Sequence, residues 1–419
     1  MSNKIKAIVH EDWAVVILGL LSIAIILSGF VVPVPTFKWT SLSDIGTTIL
    51  STVNLQNIGV QYLFMLVIAI LGAWLTGKRM FGFVKGFTIV YLLTLFALLI
   101  TGNSVVVSLN LEAVIFSLAI GLFISNFFVL PQWFKDTLST ELFVKVGLVL
   151  LGTQVIFSNI LEAGALGLIQ AIAVVLSVWY FAFWLCKKMK IDSELTMMIS
   201  SAVSICGVSA AIATSGAIQG DSKKLSYVIS MVLITAIPMM IFMPYLAHYM
   251  GLSQEVTGAW LGGSIDTTGA VVASGSLVGE EALKISTIVK FSQNVMLGLA
   301  AFAISIYWTL TQTTNSDGSR PEKPTLGVIW ERFPKFVIGF VAASLLFSFF
   351  ISPETVNAVK GSIKSVQGLW FALAFTSIGL ETNFNDLFKQ NSKKPLYAFM
   401  IAQGFNVIVT LIIAYILFN

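Results

Sequence analysis

The chain of 419 residues is 57% hydrophobic and only 11% charged, whereas ordinary soluble domains carry roughly 25% charged residues. So few charges cannot cover a soluble protein of this length, and a mean hydropathy of +0.92 reads as an all-α polytopic membrane protein. The net charge of +4 is no nucleic-acid signature, because Lys and Arg form short clusters between apolar runs, as the positive-inside rule requires.

Segments able to span ~30 Å of hydrocarbon recur at 13–32, 58–77, 83–101, 112–130, 142–159, 166–186, 225–249, 282–308, 335–351, 365–383 and 396–417. The first is long enough to stay in the bilayer and no A-x-A site follows it, so it reads as a span rather than a cleaved signal. Basic clusters alternate along the chain: Lys4 and Lys6; Lys78, Arg79 and Lys85; Lys135; Lys187, Lys188 and Lys190; Arg320, Lys323, Arg332 and Lys335; Lys389, Lys393 and Lys394. The loops at 102–111 and 160–165 carry none. This pattern places the N-terminus in the cytoplasm and the C-terminus outside, with Lys360 and Lys364 as the exception. In this reading 1–130 is mainly scaffold helices and 131–310 the transport core. Residues 311–335 form a cytoplasmic linker, and 336–419 complete an inverted repeat.

Two stretches break the apolar pattern, 195–220 and 258–279. Both are rich in small and hydroxyl residues, and they align without a gap at an offset of 60 residues: Ser204 with Ser264, Ile205 with Ile265, Ala210 with Ala270, Lys224 with Lys284. Paired polar interruptions of this kind are the best sequence pointer to a transporter's binding site. Each is either a broken full-length span or a re-entrant hairpin. Hairpins keep Lys223 and Lys224 cytoplasmic and make the two stretches enter from opposite sides, which suits the charge rule better. A second, shorter echo relates 152–160 to 379–387, with Gly152 matching Gly379, Phe157 matching Phe384 and Asn159 matching Asp386.

Asp266 is the sharpest single residue, since a carboxylate at membrane depth costs at least ~2.5–3.5 kcal/mol. It is read as the ion-coupling group, binding H+ or Na+, with a helix N-cap as the compatible plainer role. Ser204, Cys206, Gly207 and Ser209 in the first stretch, and Ser264, Thr267, Thr268 and Gly269 in the second, supply hydroxyls and free backbone N–H groups. Two facing half-helix starts of that kind form an anion site; close packing of small residues is the alternative. Lys290 lies about eight residues inside a span, roughly 12 Å deep, where it balances an anion's charge or pairs with Asp266. Ser292, Gln293 and Asn294 extend its polar face, and Asn294 joins the substrate set. Gln403 and Asn406 are candidates for the same polar core. Lys145, one turn inside its span, reads as snorkelling. Gln154, Glu381, Thr382 and Asn383 read as solvated span ends.

Other signals are decoys. The run Gly72-Ala-Trp-Leu-Thr-Gly77-Lys78-Arg79 nearly fits a phosphate loop but lacks the Ser or Thr that would hold Mg2+, and it leaves a span rather than a strand. Cys186 and Cys206 give no disulfide framework. With His10 and His248 as the two histidines, no metal cluster is expected, and no cofactor beyond a coupling ion.

The runs S-I-C-G-V-S-A-A-I-A (204–213), G-G-S-I-D-T-T-G-A-V-V-A-S-G (262–275) and L-A-F-T-S-I-G-L-E-T-N-F (373–384) resemble the YeiH-type sulfate exporter family of bacterial inner-membrane proteins. The resemblance extends from about 112 to the C-terminus. It implies anion export across the inner membrane more firmly than it implies sulfate. Many members carry His where this chain has Asp266, which leaves the coupling chemistry open. A more distant resemblance, to the sodium/bile-acid and sodium/proton transporter fold, implies a core moving against a scaffold. The expectation is a secondary transporter that is no enzyme, moving a small inorganic or organic anion such as sulfate or a sulfonate. An anion channel of similar architecture is the alternative, and a membrane enzyme or sensor comes third. Oligomeric state stays open, a homodimer being compatible.

Overall fold

The computed structural model describes residues 8–78, 80–108, 113–155, 157–311, 327, 330, 333–383 and 393–419. The helices used below are α1 (Glu11–Leu27), α2 (Thr52–Leu75), α3 (Met80–Thr101), α4 (Ala113–Phe127), α5 (Thr140–Leu151), α6 (Phe157–Lys188), α7 (Ser193–Ser201) and α8 (Val208–Ile218). They continue as α9 (Ser222–Tyr249), α10 (Gln254–Ser264), α11 (Thr268–Val278), α12 (Glu280–Thr311), α13 (Phe336–Leu345), α14 (Pro353–Glu381) and α15 (Lys394–Phe418). Among the described residues, seven helices are long and apolar enough to cross a membrane, and the fold is that of an all-α polytopic membrane protein. The four other expected spans fall on shorter helices, α1, α4, α5 and α13. The expected 142–159 span stops early: α5 ends at Leu151, a 3-10 turn covers Gly152–Gln154, and α6 starts afresh at Phe157. Most of the 311–335 linker, together with Phe384 and Asp386, lies outside the described residues.

The chain divides into two compact units, residues 1–158 with 335–383, and 159–334 with 384–419. The division at 130 read from the sequence does not coincide with these units. Helix α5 belongs with the N-terminal helices, and of the C-terminal region only α15 joins the second unit.

In the first unit, two helix pairs repeat one contact. The Ser125 hydroxyl on α4 donates to the carbonyls of Gly379 (2.9 Å) and Thr382 (2.7 Å) at the end of α14. On α13, Ser344 donates to Val155 O (2.5 Å) just beyond α5. Residues 152 and 379, like 155 and 382, are 227 apart (379 − 152 = 382 − 155), so the short 152/379 echo marks equivalent helix ends. At these ends Gln154, Thr382 and Asn383 are bonded to protein, which corrects their reading as solvated caps, while Glu381 is exposed, as that reading expects. Gln154 donates to Gln367, and Asn383 donates to Ser125 O at 3.0 Å. Lys145 is also corrected. Its ammonium does not snorkel but meets Asp12 (2.9 Å) and Glu141 (3.4 Å), with the Phe336 ring 5.6 Å away. Asp12 holds the start of α13 as well, accepting from Lys335 N–H at 3.1 Å. The near-phosphate-loop is a helix end: Gly77 has φ +73 just past α2, a position glycine fills without strain.

In the second unit, α7 and α8 form one helical hairpin and α10 and α11 another. Each hairpin's two ends meet. Lys224, at the start of α9, bonds Asp192 (2.8 Å) and Glu194 (3.3 Å) at the start of α7, while Glu194 also accepts from Asp221 N–H (3.0 Å). At the second mouth, Gln254 of α10 accepts from Ala282 N–H of α12 at 3.4 Å. Helix α9, 28 residues long and so ~42 Å, joins the exit of the first hairpin to the start of the second. The two mouths therefore lie at opposite ends of α9, which makes the 60-residue repeat an inverted one.

Local chemistry sets these boundaries. Asp192, Asp221, Ser253 and Thr267 each cap the next helix by accepting a backbone N–H, the usual use of such side chains. Glycines let the second hairpin pack on α12: a Cβ on Gly258 would sit 2.8 Å from Ala282 O, and one on Gly262 2.5 Å from Ser286 O. Apolar area gives little driving force between helices in lipid, so close backbone approach of this kind replaces it.

The first mouth carries a pH-dependent bond. Partial burial alone would raise the Asp192 carboxyl, but the Lys224 ammonium and the Leu195 N–H outweigh it and hold the group below the usual carboxylate range. A depressed folded value means stability present above the ordinary range and lost as pH falls through the folded one. Asp192→Asn keeps the cap and removes the charge. It is expected to lower stability by less than about 1 kcal/mol at neutral pH, as exposed pairs do. Melting curves in detergent should show the gap closing as pH falls below ~4.

Candidate functional site

The two hairpins meet tip to tip at the middle of the second unit. The first breaks in a π turn, Ala202–Cys206, and at Gly207 (φ 59, ψ −112). The second breaks at Ile265 and Thr267, both extended. Such breaks strip helix-end carbonyls of their partners, and irregular backbone at membrane depth survives only where protein or a wet cavity satisfies it.

Here side chains from α12 and α15 satisfy six carbonyls in two runs of three, 203–205 and 263–265. The Lys290 ammonium donates to Ile205 O (3.0 Å), Ile265 O (2.8 Å) and Gln293 Oε1 (2.7 Å). Gln293 Nε2 donates to Ser204 O (2.9 Å) and Gly263 O (3.2 Å). Asn406 Nδ2 donates to Val203 O (3.0 Å) and Ser264 O (3.2 Å), and Gln403 Nε2 also reaches Ser264 O (2.8 Å). Ile205 and Ile265 are equivalent across the 60-residue repeat, so Lys290 stands where the two halves meet. Its charge sits at the carbonyl ends of two half-helices, the negative ends of their dipoles.

The opposite, positive ends lie at the same crossing. Helices α8 and α11 start here, at Gly207 and Thr267, with Gly207 N–H bonded to Ala202 O (3.0 Å) and Ala270 N–H to Thr267 Oγ1 (3.3 Å). Asp266, 2% exposed, lies against the first of them: a Cβ on Gly207 would be 3.0 Å from the Asp266 Cβ. The Asp266 Oδ2 has no protein partner among the described residues. Ser264 Oγ, Asn294 Oδ1 and Gln403 Oε1 are likewise buried and unpartnered. Four such oxygens around one crossing are unusual, because buried polar atoms are nearly always bonded.

Most of the residues singled out from the sequence come together. Cys206, Gly207, Ser264, Asp266 and Gly269 are buried at the crossing, and Thr267 and Thr268 are half-buried at the start of α11. Asn294 Nδ2 donates to Thr268 Oγ1 (3.3 Å). Ser204 is there too, but its hydroxyl is spent on Ser200 O (2.7 Å) in its own helix. Ser209 is exposed and stands apart from the buried group. Lys290 makes no ion pair with Asp266 among the described residues; its three donors go to backbone and Gln293.

Gln170 of α6 went unread in the sequence. It is fully buried, donates to Ala259 O at 2.8 Å, and its Nε2 lies 2.4 Å from where a Cβ on Gly263 would be. A lone amide inside the apolar 166–186 run was the available signal.

The family model described as conserved hypothetical protein 698 matches residues 85–398. A UPF0324 membrane protein of Rhodopirellula baltica is 41% identical over 368 residues, covering 84% of this chain and 67% of the relative. One from Nitratidesulfovibrio vulgaris is 38% identical over 352 residues, covering 80% of this chain and 59% of the relative, so the chain spans about three-fifths of that protein's length. A Corynebacterium glutamicum UPF0324 membrane protein is 26% identical over 292 residues, covering 69% of this chain and 81% of the relative. No solved structure matches. The chain thus belongs to the conserved hypothetical protein 698 family of membrane proteins, the YeiH family that its S-I-C-G and G-G-S-I-D-T-T-G runs resemble.

Proposed function

We propose that the protein is a secondary transporter of a small anion, with sulfate and sulfonates the expected class, working in the bacterial inner membrane. Export is the direction that the family resemblance implies, and Asp266 is the ion-coupling group. One observation carries this reading: two half-helix starts meet beside a buried carboxylate whose Oδ2 has no partner. The carbonyl ends are already occupied by Lys290, Gln293, Gln403 and Asn406. What remains for a ligand is the positive end of each half-helix, where the helix dipole attracts anions. One N–H is already bonded at each start, Gly207 to Ala202 O and Ala270 to Thr267 Oγ1.

In this reading the anion meets backbone N–H groups around Gly207 and Gly269, with hydroxyls from Ser264, Thr267 and Thr268 and the Asn294 amide beside them. Ser204 contributes backbone rather than its hydroxyl, Cys206 a buried wall, and Ser209 the exposed rim. Lys290 balances the charge from behind the tips rather than by contact.

Purified protein in liposomes, loaded with sulfate, sulfite, sulfonates, carboxylates or halides, should exchange at least one of these anions. It should also accumulate that anion uphill under an ion gradient. Downhill flux alone would make it a channel, and no exchange of any anion would reject the reading.

A further inference from the structure

The geometry points to a coupling rule for this site: a single proton on Asp266 binds together with a monovalent anion, so transport is anion–proton symport that favours monoanions over dianions. The inference rests on the anion reading above and adds the charge of the substrate and the identity of the coupling ion.

The charge count comes first. In the second unit, the buried charged side chains among the described residues are Asp266 and Lys290. Lys290 is committed, with its three donors on Ile205 O, Ile265 O and Gln293, and freeing it would expose two helix-end carbonyls. Asp266 is not committed, since Oδ2 has no protein partner. With Asp266 ionised the pair sums to zero, and a monoanion arriving in it would leave one buried charge unbalanced. With Asp266 protonated the site carries one positive charge, which one negative charge cancels. A dianion leaves a net negative charge in either state, and buried uncompensated charge is strongly disfavoured.

The chemistry of the carboxyl points the same way. An ionised Asp266 only accepts hydrogen bonds, so it competes with an anion at the half-helix starts; once protonated it donates. One proton thus removes the competitor and supplies an O–H to the anion. The step is a simple protonation. Oδ2 takes a proton from water at one face, and on the other face the anion leaves, the proton returns to water and the carboxylate re-forms. Titratable neighbours are few. The Lys290 ammonium comes from α12 and the Cys206 thiol from the first hairpin. Helix α9 faces the tips with Val232 and Met239, and α15 with Gln403 and Asn406. Sodium is the competing coupling ion. Hard cations need several oxygens at once. Although the six carbonyls at the crossing are bonded to nitrogen donors, Ser264 Oγ, Asp266 Oδ2, Asn294 Oδ1 and Gln403 Oε1 are unpartnered among the described residues, so a comparison of choline with sodium media separates the two ions.

Export under this rule runs down an outward anion gradient and carries a proton out with each anion. An inward proton gradient instead drives uptake.

The test uses the intact protein in liposomes with an entrapped pH dye, methanesulfonate as the monoanionic probe and sulfate as the dianionic one. Inward methanesulfonate flux should acidify the lumen with one proton per anion, proceed equally in choline and sodium media, and exceed sulfate flux on the order of a hundredfold. Asp266→Asn should lose pH-driven accumulation, while Asp266→Glu should keep it with a shifted pH profile. Melting curves of both variants show whether they fold. If no anion exchanges at all, the anion reading itself fails. If methanesulfonate exchanges without protons, requires sodium, or moves no faster than sulfate, only the coupling rule is overturned. Uphill accumulation by a folded Asp266→Asn protein would overturn it too.

Discussion

Lys290→Met is expected to abolish transport and to destabilise the protein by roughly 3–5 kcal/mol, the usual cost of removing one partner from a buried charged network. The methionine fills much of the volume but leaves Ile205 O, Ile265 O and Gln293 Oε1 without their donor. It also leaves Asp266 as a buried charge with no other buried cation among the described residues of its unit. Melting in detergent should fall on the order of 10 °C. Lys290→Arg should not restore function, because a planar guanidinium does not reproduce a compact ammonium. Lys290→Ala with added methylammonium should recover part of the stability, since the small cation can reach the same three oxygens. Unchanged melting and flux in Lys290→Met would show that the crossing does not depend on this pin.

The second large effect is expected at Gly207. Its φ of 59 with ψ of −112 lies outside the regions open to L-residues. A Cβ there would stand 2.7 Å from Val232 Cγ1 and 3.0 Å from the Asp266 Cβ. Gly207→Ala thus combines backbone strain of about 1–3 kcal/mol with overpacking of about 1–3 kcal/mol. The atom that must move belongs to Val232, and the Asp266 Cβ beside it must give by a few tenths of an ångström, so flux should fall by more than about tenfold even where the protein still folds. Gly404→Ala on α15 is the control, since a Cβ there meets nothing within 4 Å. Flux and melting should both stay at wild-type values in the control. Equal effects at the two positions would contradict the tip geometry.

Much of this site was legible because its symmetry is covalent. The gapless 60-residue offset paired Ile205 with Ile265, and those two carbonyls share the Lys290 ammonium. Glycines and hydroxyls in an apolar chain marked the breaks for the same physical reason that allows them, loss of helix bonds. Position across the membrane was harder. Lys223 and Lys224 favoured hairpins, but only the Lys224 bonds to Asp192 and Glu194 bring the two ends of one hairpin together. Long-range pairing was not legible at all. Lys145 finds Asp12 at a separation of 133 residues, so a one-turn-deep lysine looked like a snorkelling one. The same limit misplaced the unit boundary, since α5 packs with α1 and α14, which the chain places far before and after it. Gln293 was read as extending a polar face and Asn406 as a candidate for the polar core, but not their bonds to distant carbonyls, because an amide's two-handed bridge leaves no local pattern.

Sided labelling of two cysteines, placed one at a time in a Cys186→Ser, Cys206→Ala background, tests the inverted crossing most directly. Lys223 marks the mouth of the first hairpin and Glu255 that of the second; both are exposed. With a membrane-impermeant maleimide, Lys223→Cys and Glu255→Cys should react from opposite faces of the membrane. Reaction of both from the same face would contradict hairpins that meet from opposite sides, and with them the site at their tips.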